Sequence, residues 1–340
     1  MRKERIEIRE GKMKKKEGFI SIIIPVYNAQ NVIEECLQSI LKQDYKQFEI
    51  LCVDDGSTDE TILIVQKQAK KDPRIHLIRK EHGGQGTTRN YGISEAKGEF
   101  ILFIDSDDVI DEKMLGSLIK RAEETEADVV ISGIHLEMNK KFVCDYVVDD
   151  FSGSCQQFME EKFKESYQKW LINAPWNKLI KTEFLMKYNL RFAEKMRIYE
   201  DLLFSLEVIQ HAKIISIVGQ PYYTYRYLQP GSVLSGFTEN EDQYIYTIGN
   251  KLEEMSLEYE MKMPYYYADL IHKVIVYASK IRRNKSFSWL KKIKKICVLF
   301  SDSKWDKYLE LARAEERTLK RQIFWIRKTR WIMKFVAASF

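Results

Sequence analysis

Phe100-Ile101-Leu102-Phe103-Ile104-Asp105-Ser106-Asp107-Asp108 is a run of five apolar residues closed by three carboxylates within four positions. A short, uninterrupted apolar run of this kind predicts a strand buried on both faces, ending at Asp105. Carboxylates crowded at the end of such a strand repel one another and are costly to desolvate unless positive charge arrives. A hard divalent cation with oxygen ligands, Mg2+ or Mn2+, would supply that charge and could bridge to phosphate oxygens. The same string could equally be a solvated turn leading into a helix at Met114, with the aspartates as caps.

Working outward, Phe19–Val26 (FISIIIPV) and Phe48–Val53 (FEILCV) read as two more buried strands, followed by Ile75–Ile78 and, beyond the quoted stretch, Asp128–Ser132. Between them lie segments with apolar residues at helical spacing: Asn31–Lys42, a helix capped by Ser57 or Thr58 with Ile62, Val65 and Ala69 inward, Arg89–Ala96, and Met114–Thr125. Residues 82–88 form a glycine-rich loop. Strand and helix alternating at this spacing imply right-handed parallel crossovers, hence an open α/β sheet. Ligands of such sheets sit outside the carboxyl ends of the strands. The polar clusters at 27–28, 54–59 and 105–108 all fall there.

Asp54-Asp55-Gly56-Ser57-Thr58-Asp59 offers short acceptors that could take hydrogen bonds from a base or ribose, and it could also be turn chemistry alone. Gly83-Gly84-Gln85-Gly86-Thr87-Thr88-Arg89-Asn90 is like a phosphate cradle at a helix start, although it fits neither the P-loop nor the dinucleotide fingerprint. A flexible loop is the alternative. The Arg89 guanidinium could clamp a diphosphate. His76 and His211 read as structural.

Taken in order and spacing, Ser21-Ile22-Ile23-Ile24-Pro25-Val26-Tyr27-Asn28, Val53–Asp59, Gly84–Asn90 and Asp105–Asp108 resemble family 2 glycosyltransferases of the GT-A fold, of the type that builds bacterial surface polysaccharide. Weaker echoes follow at Trp176-Asn177-Lys178-Leu179, Tyr199-Glu200-Asp201 and 222–235. The resemblance implies a mainly parallel sheet flanked by helices with a helical C-terminal extension. The chain is thus expected to divide into a charged extension (1–18), a catalytic domain (19–238, with a nucleotide-binding half 19–135 and an acceptor half 136–238) and a basic helical region (239–340), the last because from about residue 240 glycine nearly vanishes and Lys, Glu, Leu, Ile, Tyr and Trp dominate. On matching residues it implies that Pro25, Tyr27, Asp54, Asp55 and Arg89 hold the nucleotide. Asp107 and Asp108 would hold Mn2+ or Mg2+ on the diphosphate with Asp105 in support, and Arg226 would close over that diphosphate. Trp176 and Lys178 would face the acceptor, and Asp201 would be the catalytic base of an inverting transfer. The donor would be a nucleotide diphosphate sugar, with UDP the usual nucleotide, and the acceptor a saccharide hydroxyl, lipid-linked in surface polysaccharide assembly. Alone, Asp201 reads as a carboxylate capping the helix that starts at Leu202.

The charge is unevenly placed. The formal total is +5, yet residues 281–340 carry 17 Lys/Arg against five Asp/Glu, while 21–280 carry 30 basic and 41 acidic side chains. An acidic body repels nucleic acid, so a nucleic-acid partner is not expected. Drawn as a helix, 318–336 sets Leu319, Trp325, Ile326, Ile332, Met333 and Val336 on one half and Lys320, Arg321, Arg327, Lys328, Arg330 and Lys334 on the other. Aromatic rings beside cations suit an anionic membrane surface, while packing on the body or a dimer contact would use the same residues. No run is long and apolar enough for a transmembrane helix, and five cysteines without CxxC pairing indicate neither zinc nor a disulfide framework. The expected place is the cytoplasm, at the inner face of the cell membrane. The rivals are a sugar nucleotidyltransferase, disfavoured because Ile24–Asn28 lacks the basic signature such enzymes carry, and an inactive sugar-nucleotide binder.

Overall fold

In a computed structural model, residues 18–227, 237–262, 264–312 and 317–338 are described. The proposed extension at 1–18 therefore lies almost wholly outside the described residues, as does the Gly231-Ser232 part of the late motif.

The first half alternates as its sequence requires: β1 (Ile20–Val26), α1 (Ile33–Leu41), β2 (Phe48–Asp54), α2 (Thr61–Ala69), β3 (Ile75–Arg79), α3 (Gln85–Glu95) and β4 (Phe100–Phe103). Every residue of β1, β2 and β4 is buried. Each fully buried Ile, Leu, Val or Phe in these strands contributes about 1.5–3 kcal/mol, which commits the runs to the sheet interior. The order β3-β2-β1-β4 is parallel throughout, with Val26 beside Asp54 and Ile23 beside Phe103, so the polar clusters emerge along one edge. Helix α3 crosses so close to β1 that a Cβ on Gly92 would come within 2.4 Å of Ile23, and glycine is required there.

The second half is β5 (Val109–Ile110), α4 (Met114–Thr125), β6 (Val129–Met138), β7 (Lys141–Tyr146), β8 (Phe151–Ser154), α5 (Cys155–Glu161), α6 (Phe163–Gln168), β9 (Lys178–Lys181), α7 (Thr182–Lys187), α8 (Glu200–His211) and β10 (Ile214–Tyr227). Here the sheet turns mixed: β9 runs antiparallel between β4 and β6, β10 runs parallel to β6, and β5 pairs antiparallel with β10. Among the described residues one ten-stranded sheet results, mainly parallel and flanked by helices.

Three expected boundaries move. Helix α3 starts at Gln85, so half of the supposed glycine-rich loop is its first turn. Helix α2 starts at Thr61, whose N–H donates to Asp59 (3.0 Å), while Ser57 and Thr58 bind Asn28 across the gap between two loops. Strand β6 continues six residues past Ser132, because residues as far as Met138 still find pairing with β10.

The remaining chain is helical: α9 (Glu241–Glu258), α10 (Pro264–Arg283), α11 (Trp289–Ser301), α12 (Asp306–Leu311) and α13 (Arg317–Ala338). It docks on the sheet domain through α8 and α6, with Lys251 on Glu207 (2.9 Å) and the Tyr167 hydroxyl donating to Asp269 (2.7 Å). In α13 the inner line is Ile323 and Ile326, three apart on one side. Trp325 and Ile332, expected on the apolar half, are exposed with Phe324, Arg321 and Lys328. No described helix is long and apolar enough to cross a membrane.

Candidate active site

Three strand ends and one helix start build the mouth of the sheet. At the end of β2, Asp54 and Asp55 are buried. Asp54 accepts from Ser57 N–H at 3.2 Å, closing the turn at Gly56, whose φ of +82° suits glycine. Asp55 accepts from the Gly83 and Gly84 N–H groups, both at 2.9 Å, and from the Lys80 ammonium. Burial pushes its carboxyl up, but these donors outweigh it and hold the group below its ordinary value. Asp55 thus ties the glycine segment to the sheet. Beside it His82 approaches the Asp55 carboxylate at 3.0 Å and packs on Tyr27, rings 4.8 Å apart. Tyr27 is half exposed, so this pair forms an aromatic ledge at the mouth, while Pro25 lies buried in the strand below.

At the end of β4 the balance is opposite. Asp107 is partly buried and, through burial and the neighbouring Asp105, pushed up to about 6, with Arg226 pulling the other way. Asp108 is 1% exposed and well above its ordinary value through burial, Asp107 and Asp105. Its two oxygens are committed: one accepts from the Tyr223 hydroxyl (2.7 Å), the other from the Arg226 N–H (2.9 Å). The Tyr223 oxygen in turn accepts from the Asp105 N–H at 3.2 Å. Asp108 therefore fastens the acidic turn to β10, while Asp107 beside it stays partly exposed.

Arg89, expected to meet a diphosphate, is 2% exposed and turned inward. Its guanidinium donates to Asp105 at 2.8 Å and reaches Glu200 at 3.4 Å. Burial works against its charge, but Asp105, Glu200 and Asp201 hold it firmly cationic. Burial raises Glu200 even beside this arginine, since Asp105 takes the shorter contact. Asp201 is only partly covered by its surroundings, and its Oδ1 accepts from the Leu202 N–H at 2.7 Å. Burial and Glu200 push it up to about 7, against Arg89. Helix α8 begins one residue before it, at Glu200, with Tyr199 at the cap position and no side-chain cap hydrogen bond, so Asp201 sits in the first turn and does not cap the helix as its sequence position alone suggests.

Arg226 stands beside the acidic turn, its guanidinium paired with Glu35 of α1 (2.6 and 3.0 Å) and Glu137 (3.4 Å). Trp176 and Lys178, expected at the acceptor, are core residues instead. Trp176 stacks on Tyr223 at 4.2 Å and Tyr225 at 5.2 Å. Lys178 is fully buried, its ammonium donating to the Leu171 carbonyl (2.6 Å) and Asn177 (2.8 Å), and burial pushes it down to about 7. A four-residue strand between β4 and β6 leaves Lys178 no way out to solvent. Tyr223, Glu200, Glu35, Lys80 and His82 were not singled out from sequence. Lys80 was findable, because it directly follows β3 at the same edge; Tyr223 and Glu35 meet the site only through folding.

Among the described residues no group of three His, Cys, Asp or Glu side chains is arranged as a metal cage. One or two carboxylates are nevertheless the usual protein share of a Mg2+-type site completed by phosphate oxygens. Asp107, half-buried and charged against its neighbours, fits that donor set.

Residues 21–188 match the model described as glycosyl transferase family 2. The chain is 32% identical over 210 residues to the uncharacterized glycosyltransferase EpsJ of Bacillus subtilis, covering 61% of this chain and 60% of that one. It thus spans well under two thirds of that relative. To glycosyltransferase GlyG of Streptococcus pneumoniae it is 32% identical over 223 residues, covering 63% of this chain and 72% of that one. Among solved structures, S. aureus TarS 1–349 in complex with UDP-GlcNAc superposes with a TM-score of 0.67 at 23% identity, over 93% of this chain and 89% of that one, which shows the shared GT-A fold.

Proposed function

The chain belongs to glycosyltransferase family 2 and is a glycosyltransferase, and on that premise we propose an inverting, metal-assisted transfer from a UDP-sugar to a saccharide hydroxyl. The observation that carries this reading is the convergence of Asp107, Asp105, Arg89 and Asp201 on one mouth of the sheet, with two carboxylates held near neutral titration. Solved TarS binds UDP-GlcNAc, which makes an N-acetylhexosamine or hexose the first sugar to try. Pro25, Tyr27, Asp54 and Asp55 shape the nucleotide side, Tyr27 and His82 giving a ring surface for the base. Arg89 holds Asp105 and the Glu200-Asp201 turn in place rather than touching phosphate.

Asp107 would hold a divalent cation, Mn2+ or Mg2+, supported by Asp105 and Asp108; when bound, that ion neutralises charge on the departing diphosphate. Arg226 adds a fixed positive charge on the same side. An acceptor hydroxyl attacks only as its proton leaves, and a carboxylate titrating at about 7 is matched to take it near neutral pH. Inversion follows from a single displacement with the base opposite the leaving group. A panel of UDP-, GDP- and dTDP-sugars, with and without Mn2+, should show metal-dependent release of nucleotide from one UDP-sugar well above the rest. A folded protein that releases nothing across the panel would sink the reading in favour of an inactive binder.

The acceptor we propose is lipid-linked, with the enzyme resting on the cytoplasmic face of the membrane. The support is α11 and α13, which pack together, contain no Asp or Glu, and expose Trp289, Leu290, Phe324, Trp325 and Ile332 among lysines and arginines. Each cation near an anionic lipid surface adds about 1 kcal/mol. Sedimentation with phosphatidylglycerol vesicles, lost in Phe324→Ala/Trp325→Ala and absent with phosphatidylcholine, is the expected result; equal recovery with and without vesicles would refute membrane contact.

A further inference from the structure

The turn that presents Asp201 is gripped from two sides, and only one grip belongs to the sheet domain. On the inner side, α3 holds the approach to the turn: Asn90 exchanges hydrogen bonds with the Phe192 backbone (2.8 and 2.9 Å) and Arg89 reaches Glu200. On the outer side, α9 of the helical region does the corresponding work. The Tyr244 hydroxyl donates to the Lys195 carbonyl (3.1 Å), and the Tyr199 hydroxyl donates to Glu241 (3.2 Å).

Tyr199 is the residue immediately before Glu200-Asp201, and its φ is +65°. That left-handed conformation is unfavourable for a bulky residue and persists only where its surroundings fix it. The fixing group is unusual. Glu241 is 0% exposed, at the first turn of α9, and both its oxygens are also held by Lys280 of α10, at 3.0 and 3.1 Å. A carboxylate this deeply buried must keep its partner, because removing one member of such a pair strands the other charge. Tyr199 is the one side chain of the Asp201 turn that this pair touches, and the Lys273 ammonium stands 5.9 Å over its ring.

We infer that the Lys280–Glu241 ion pair is a positioning device for Asp201, acting through the Tyr199 hydroxyl, so that the helical region completes the catalytic site of the sheet domain. The inference rests on Asp201 being the base, but its geometry does not. Residues 199–201 and 241 lie beyond the stretch that matches the family model, and their contacts join the sheet domain to the helical region.

Three variants and two readouts test it. Tyr199→Phe removes one hydroxyl and keeps the ring. Glu241→Ala removes the acceptor, whereas Glu241→Gln keeps an oxygen that can still accept from Tyr199. The substrate-free readout is amide exchange at Leu202 and Leu203, the latter bonded to the Tyr199 carbonyl at 3.0 Å. Exchange there should quicken about tenfold in Tyr199→Phe and Glu241→Ala, less in Glu241→Gln, with β1 amides unchanged. The second readout is hydrolysis of UDP-GlcNAc, where kcat should fall about tenfold with KM for the donor held within about twofold, and Glu241→Gln should recover part of the loss. Exchange that quickens evenly through α8, α9 and the sheet, or no change at Leu202 and Leu203, overturns the inference. Wild-type protein inert toward every nucleotide sugar would overturn the proposed function, while the exchange result would still decide the positioning.

Discussion

The ends of β2 and β4 carry the same residue type at the same edge of one sheet, and the protein treats them in opposite ways. Around Asp55 the chain supplies a lysine and two backbone N–H groups, and the carboxyl is held low. Around Asp107, burial and the neighbouring Asp105 outweigh Arg226, and the group is held up at about 6. Asp55 is satisfied by the fold; Asp107 keeps an unbalanced charge, which is the basis of the cation-holding role proposed for it. The lesson is that an acidic cluster at a strand end is not informative by itself. The supply of donors around it separates a structural carboxylate from a functional one.

The largest effect should come from Asp201→Asn, which removes the proposed proton acceptor while keeping a side chain of the same shape. Loss of transfer by about 10²–10⁴-fold, with donor affinity by calorimetry unchanged, is expected. Equal loss of donor binding would place Asp201 in the donor site instead.

Next, the two strand ends should respond with opposite signs to neutralisation. Asp55→Asn leaves Lys80 unpaired and should cost about 2 kcal/mol in chemical denaturation. Asp107→Asn relieves repulsion and should raise the melting temperature of metal-free protein by about 2–4 °C, while abolishing Mn2+-dependent binding of UDP. Destabilisation by both would erase the contrast.

The pH dependence follows the same division. Asp107 and Asp201 titrate at about 6 and about 7 when folded, above the ordinary 3.8, so the folded state holds extra protons between those limits. Stability of the metal-free protein should therefore fall as pH rises from about 4 to 7. Over the upper part of that range, kcat should rise as Asp201 ionises. Asp55 has the opposite sign, contributing stability above its ordinary value that is lost as pH falls through its lower folded value. A melting curve flat from pH 5 to 8 would remove the electrostatic basis of the comparison.

The smallest effect on the reaction belongs to Lys178. As a core residue, Lys178→Met should leave acceptor KM within about twofold and act on stability alone, through the carbonyls it abandons. An acceptor KM raised tenfold would return it to the site.

Much of this was legible in the linear chain because the physics is local. Apolar runs such as Phe100–Ile104 have one way to be buried, and a run of alternating strands and helices has one favoured handedness, so the sheet and its functional edge follow from spacing. What misled was equally physical. The glycines at 83–86 read as a loop, yet with Asp55 holding the Gly83 and Gly84 N–H groups, helix α3 can begin at Gln85. Trp176 and Lys178 have aromatic and polar character suited to an acceptor, but β9 slots between β4 and β6 and buries Lys178, while Trp176 stacks on Tyr223 and Tyr225 of β10. Trp325 and Ile332 face outward because Ile323 and Ile326 form the packing line.

Local sequence was enough to place β1–β4, the start of β6 and the aspartates at the carboxyl ends of β2 and β4, since each depends on neighbours a few residues away; β5 and β7–β10 were not legible there. Which aspartate is satisfied, the inward turn of Arg89 to Asp105 and Glu200, and the meeting of Tyr199 with Glu241 across 42 positions are all set by long-range packing. Charge balance in a buried place is set by whichever groups the fold brings within a few ångströms, and that information is carried by the packing of distant segments rather than by any one of them.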